Sequence, residues 1–229
     1  MSGNILKDTK YREYIEVATA KLIKPWHPRH HGVTMQAHHA ISAKGVKLAG
    51  PEVGKKLVAS GYDINHLPNL VFIPSTLQGA CHLGVQPHRG DHRTPIAGGV
   101  IDDDDDDDRL PAYHDMISKK VLMLKRTLAG KCPATDPSHG AKVTKAMNEI
   151  SEEVVDDIQN APASMPLTKI AKYFSPRKGV GCGGADSIPL HDAKRCPVER
   201  NHENQQGPKQ QSERITYEKT KPYVLKVKR

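Results

Sequence analysis

Residues 5–23 place Leu6, Tyr11, Tyr14, Ile15, Ala18 and Leu22 near helical spacing, the pattern of an amphipathic helix closed by Lys24-Pro25. Pro25 to Gly32 reads as a loop holding Trp26, His27, His30 and His31. Met35 to Ser42 reads as a short strand, and Val53 to Ser60 as a helix ended by Gly61. Asn69 to Pro74 (NLVFIP) reads as a second short strand stopped by proline. Tyr113 to Leu128 puts Met116, Ile117, Val121, Leu124 and Leu128 on one helical face. Another helix is expected over 140–160 and a shorter one over 167–174. Past Ser175 the chain becomes rich in Gly, Pro and Gln, so irregular structure is expected, with 200–221 reading as a linker or tail. There is no internal repeat.

Composition narrows the picture. Of 229 residues, 37% are hydrophobic and 26% charged, with two Phe and one Trp, a thin supply for one compact core. The net charge of +8 hides an asymmetry, because residues 102–108 are seven consecutive aspartates. The rest of the chain carries 34 Lys and Arg against 19 acids, an excess that attracts phosphate backbones. The Asp run sits in a Pro- and Gly-bounded stretch, 95–111, that reads as an insertion. Adjacent aspartates repel, so a solvated loop is the plain reading, and a shield over a basic cleft is the sharper one. Four cysteines do not suggest a disulfide scaffold, and no apolar run has the length of a signal peptide or membrane span. The expectation is a soluble chain folded in a reducing compartment, without a cleaved signal or membrane insertion.

The thirteen histidines matter through their placement. His38 and His39 are adjacent in QAHHAIS, a strand pattern, and side chains alternate across a strand. One imidazole can therefore hold a metal while the other faces a substrate. Asn69 opens the second strand, and His88 and His92 follow in HRGDH. An H-x3-H pair at helical spacing puts both imidazoles on one face, a metal-ligand arrangement.

The histidine pair, an asparagine and H-x3-H in this order resemble the His-Me finger (ββα-metal) nucleases of HNH type. More narrowly, AHH, DIN, NLVFIP and HRGDH resemble the AHH family over roughly residues 33–128. Members of that family are typically toxin domains of bacterial polymorphic and type VI secretion effectors. The resemblance implies an α+β fold: a His-Me finger core over 33–128 interrupted by the insertion at 102–108, preceded by an N-terminal helix and His-rich loop (1–32). A helical region (129–174) and an irregular C-terminal extension (175–229) would follow.

The resemblance also implies roles. His38, His88 and His92 would hold one divalent cation (Mg, Mn, Ni or Zn), and His39 would be the general base that deprotonates the attacking water. Asn69 would hold the catalytic loop, and so the base, in position. Asn65 in DIN is the alternative positioning residue, with Asn69 then a turn. Arg89 and Arg93, beside the ligands, can steady phosphate charge. The implied function is non-specific hydrolysis of DNA by an antibacterial toxin. Its partners would be an acidic immunity protein and secretion machinery or a carrier effector module. It would be made in the bacterial cytoplasm and act in that of the target cell.

Two rival readings remain: a site-specific HNH-type endonuclease, and a non-catalytic module whose histidines bind zinc only structurally. One departure from the family pattern stands out, since the helix should continue soon after the last histidine towards a Tyr, and here the Asp insertion intervenes before Tyr113. His66, His114 and His139 read as ordinary histidines. His27, His30 and His31, in their proline-flanked loop, are left out of the site, and Trp26 reads as a core or lid aromatic. Further on, Cys182, His191, Cys196 and His202, with Cys132 available, are compatible with a structural zinc, although no C-x2-C spacing marks it.

Overall fold

The computed structural model describes residues 20, 23–88, 113–129, 137–168, 171–174, 215–218 and 223–227. Nearly all of the expected helix over 5–23, the insertion at 95–111 and nearly all of the C-terminal extension lie outside the described residues. Within them the architecture is mixed helix and strand, the α+β class expected.

Met35–His39 (β1) and Leu70–Pro74 (β2) pair antiparallel, with His38 opposite Val71 and His39 opposite Leu70. β1 stops before the expected Ser42. The reason is local: the Ser42 hydroxyl accepts from Gly45 N (3.1 Å) and caps a helix, Ala43–Leu48 (α1), so the chain must leave the sheet first. A second short helix, Leu77–Leu83 (α3), is capped in the same way by Thr76 Oγ1 on Gly79 N (3.0 Å). Neither helix is visible as a hydrophobic period, because six or seven residues are too few to show one. Their ends and their packing hold them.

Between them lies Pro51–Ala59 (α2), which starts earlier than expected because Pro51 fits the first helical turn. Its C-cap is Ser60, and Gly61 follows at φ 78°, a conformation that favours glycine. The expected helix 113–128 is two pieces, Tyr113–Met123 (α4) and Lys125–Leu128 (α5). They are separated at Leu124, whose N–H bonds back to Val121 O (3.0 Å). Pro137–Asn160 (α6) is a 24-residue helix. The short helix expected at 167–174 is a single 3-10 turn at Ala171–Phe174.

These elements share one core. β2 is buried along its whole length, and Val71, Phe72 and Ile73 meet Ile117 and Val121 of α4 and the apolar stripe Val143, Met147, Val154 and Ile158 of α6 in one cluster. α1 and α4 pack tightly against each other. A Cβ on Gly45 would sit 2.6 Å from Ile117 Cγ2, so only glycine lets the two helices touch. That contact fixes where α4 begins, and hence where Tyr113 stands.

The end of the chain returns to the same body. Tyr223 and Leu225 are buried in the core, and Thr216 N donates to His31 O (2.9 Å). Gln159 of α6 grips the returning segment twice, donating to Tyr223 O (3.2 Å) and accepting from Leu225 N (2.7 Å). No helix of the described residues is long and apolar enough to cross a membrane.

Candidate active site

The site is built where β1, the end of β2 and the start of α4 converge. His38, buried, faces His88, whose N–H donates to Pro74 O (2.8 Å) and so anchors it beside the last residue of β2. The two rings are 4.5 Å apart between centroids, and His38 Nδ1 lies 3.1 Å from His88 Nε2. On the other edge of His38, Nε2 is 2.8 Å from the Tyr113 hydroxyl, which itself donates to Ala40 O. Because that hydroxyl has a single proton and gives it to the carbonyl, His38 Nε2–H must donate to the phenol oxygen. The lone pair of His38 is then on Nδ1, aimed at His88. Burial pushes the Tyr113 phenol well above its usual range, so it stays protonated.

His39, half-buried on the next strand position, meets a different partner: its Nε2 is 3.1 Å from Asn65 Oδ1. Burial pushes the His39 imidazole down to about 4, against the opposing influences of Asn65 and the Asp63 carboxylate, so it is neutral at pH 7. Burial, aided by His39, also lowers His88 to about 4. Both are therefore in the form that can accept a proton or a metal.

Asn69 does not touch either imidazole through the bonds it makes here. Fully buried, it donates from Nδ2 to Ile41 O (2.9 Å) and Ile64 O (2.8 Å), and its Oδ1 accepts from Ile41 N (2.7 Å) and from the Ser151 hydroxyl (2.9 Å). Both donors and both acceptor positions of the amide are thus used. It ties the turn after β1 to the loop before β2, and α6 supports it through Ser151. Gln86 plays a similar part for His88's segment, donating to Ile158 O and Met165 O and accepting from Leu167 N.

Residues 21–128 match the family model of AHH, a nuclease family of the HNH/ENDO VII superfamily with conserved AHH. Over that segment the chain is similar to the AHH nucleases. Its Ala-His-His is Ala37-His38-His39, the last three residues of β1. No curated protein and no solved structure matches the chain. The matched segment as folded here leans on residues beyond it, since Ser151 and the apolar stripe of α6 complete its core and its Asn69 network.

The structure thus brings His38, His39, Asn69 and His88 into one neighbourhood. His92, Arg89 and Arg93 lie outside the described residues, as do Cys182, His191, Cys196 and His202 of the suggested zinc site, and Cys132. Among the described residues no group of three His, Cys, Asp or Glu side chains converges as a metal site. The His38–His88 pair nonetheless fits a cation: two imidazole nitrogens bound at ~2.0–2.1 Å to one ion stand ~3.4 Å apart in a tetrahedral arrangement, close to the spacing seen.

Sequence reasoning gave Tyr113 no role. Its signal was available as the Tyr towards which the resemblance expects the helix to run, separated from His92 in the sequence by the Asp insertion. Of the histidines read as ordinary, His66 is exposed, whereas His114 Nδ1 is hydrogen-bonded to the Ser42 hydroxyl (2.8 Å). His27 is buried against Phe72 and Tyr223 and caps the 3-10 turn Pro28–His31, a packing role. Trp26, expected as a core or lid aromatic, is 49% exposed, because its loop turns it outward beside His27.

Proposed function

We propose that this chain is a metal-dependent endonuclease that hydrolyses DNA without sequence preference and acts as an antibacterial toxin. One observation carries the reading. A neutral imidazole, His39, with one nitrogen held by an amide oxygen, stands next in sequence to a buried His38–His88 pair whose ring nitrogens face each other.

The chemistry follows from those positions. A carbonyl oxygen can only accept, so His39 Nε2 carries the proton and Nδ1 carries the lone pair that removes a proton from the attacking water. The water oxygen forms the new bond to phosphorus, the P–O3′ bond breaks, and the departing oxygen takes a proton from solvent. His38 and His88, with His92, would hold the divalent cation that nucleases of this superfamily generally use. When bound, that ion supplies Lewis-acid stabilisation of phosphoryl charge. The Tyr113 hydroxyl keeps the His38 ring turned so that Nδ1 remains available to a ligand. Arg89 and Arg93 are the nearest cations in sequence for the phosphate oxygens.

The basic excess outside the Asp run supports a nucleic-acid substrate. The same excess supports an acidic immunity protein as the neutralising partner. Action in the target cytoplasm goes with the toxin reading.

The test is plasmid cleavage by the wild type and His39→Ala with Mg²⁺, Mn²⁺, Ni²⁺, Zn²⁺ or EDTA. Expected are nicking with metal, none in EDTA, and a loss of ~10²–10⁴-fold on substitution, the usual contribution of a general base. Equal rates for both proteins would place the base elsewhere, and cleavage in EDTA would remove the metal from the mechanism. Cleavage of RNA but not DNA would change the substrate.

A further inference from the structure

The two asparagines near the base do different work. Asn69 commits both donors and both acceptor positions to Ile41, Ile64 and Ser151, so what it can hold is backbone. Asn65 offers its Oδ1 to the imidazole itself. We propose that Asn65 is the positioning residue of His39, fixing its tautomer, and that Asp63 and Asn69 hold Asn65 in place from either side. The proposal rests on the reading of His39 as general base and names the residue that makes it one.

Asn65 acts through the proton on the ring. An unconstrained neutral imidazole exchanges its proton between Nδ1 and Nε2, and presents a given nitrogen as a base only part of the time. An amide oxygen at Nε2 accepts but cannot donate, so it selects the form with the lone pair on Nδ1. The loop that carries Asn65 is pinned on both sides. Asp63 Oδ1 accepts from Asn65 N (2.9 Å) in an Asx turn, and Asn69 Nδ2 holds the carbonyl of the preceding residue, Ile64. His39 in turn is fixed by β1, whose pairing with β2 continues through Ala40 N to Asn69 O (2.9 Å). The imidazole and the amide therefore meet because two backbone segments are each locked, and Asn69 bonds to both.

The experiment compares the full-length wild type with Asn65→Leu, which keeps the volume and removes the acceptor, and Asn65→Asp, which keeps an oxygen in the same place. Steady-state kcat and KM are measured on duplex DNA. The His39 tautomer is read from long-range proton–nitrogen correlations in protein labelled with ¹⁵N-histidine, assigned by comparison with His39→Ala. For Asn65→Leu, kcat is expected to fall by about 10²-fold, within the range a general base contributes, because the ring loses its orientation as well as its fixed tautomer, with KM unchanged and His39 showing a mixture of Nε2–H and Nδ1–H forms. Asn65→Asp should recover most of the rate. A rise in KM at constant kcat, or an Asp variant as slow as the Leu variant, would overturn the proposal. The tautomer is read without substrate, which separates the two readings. A wild type that cleaves no nucleic acid overturns the nuclease function, whereas a His39 proton on Nδ1 overturns the role of Asn65.

Discussion

Tyr113 lies 75 residues downstream of His38, yet its hydroxyl receives the Nε2 proton of that histidine at 2.8 Å and passes its own to Ala40 O. The aspartate-rich stretch that precedes Tyr113 in the sequence does not keep this tyrosine from His38. What returns it is the contact of α4 with α1, where Gly45 lies against Ile117 one helical turn beyond Tyr113.

Tyr113→Phe keeps the ring and removes the link. The His38 ring then loses what fixes its tautomer, and divalent-metal affinity should fall by ~10–100-fold, the usual effect of losing such a partner. Titration calorimetry on the two proteins checks this; equal affinities would show that the His38 ring needs no such support.

Gly45→Ala forces a methyl into Ile117. A loss of about 1–3 kcal/mol in a urea melt is expected, the range for overpacked cores. In an Ile117→Ala background the same substitution should cost much less. Additive losses would mean that the two helices do not meet at this point.

Asn69→Leu removes four hydrogen bonds from a fully buried amide and leaves Ile41 N and Ile41 O without that partner. Unfolding free energy should drop by about 3 kcal/mol or more. Ser151→Ala, which removes one of the four, should cost about 1 kcal/mol. A Ser151 effect as large as that of Asn69 would assign the network's weight to α6 instead of to the loops.

His27 gives the chain an acid limit to its stability. Burial, with smaller contributions from His30 and Arg29, lowers its pKa from 6.5 to about 4. Above pH 6.5 the ring is neutral folded or unfolded and contributes no pH dependence. As pH falls from 6.5 towards 4 the unfolded chain binds a proton that the folded chain does not, so stability is lost, up to about 3 kcal/mol. Thermal melts of wild type and His27→Gln from pH 8 to 4 should converge on acidification. Parallel curves would show that His27 titrates alike in both states.

Much of this site was legible before any coordinate. The adjacent histidines, the Asn just before β2 and the spacing to His88 pointed to one neighbourhood, and the structure has them there. Strand alternation also anticipated that His38 and His39 would find different partners. The choice between Asn65 and Asn69 was not legible, because both lie in one short loop and nothing in their spacing says which amide faces a ring and which faces the backbone. α1 and α3 escaped because capped helices of one or two turns carry no measurable period.

The sequence by itself determined the chemical vocabulary and the order of its delivery: AHH on a strand, an asparagine before the next strand, a histidine after it, and helices whose apolar stripes demand a common core. Those are properties of local periodicity and residue type, which act over a few positions. Only the tertiary structure decided that Tyr113 meets His38, that Ser151 of α6 supports Asn69, and that Tyr223 and Leu225 return to the core. Each of these joins segments dozens of residues apart. Such pairings are set by which buried surfaces and polar groups can satisfy one another at once, a condition on the whole packed chain that no single stretch of it contains.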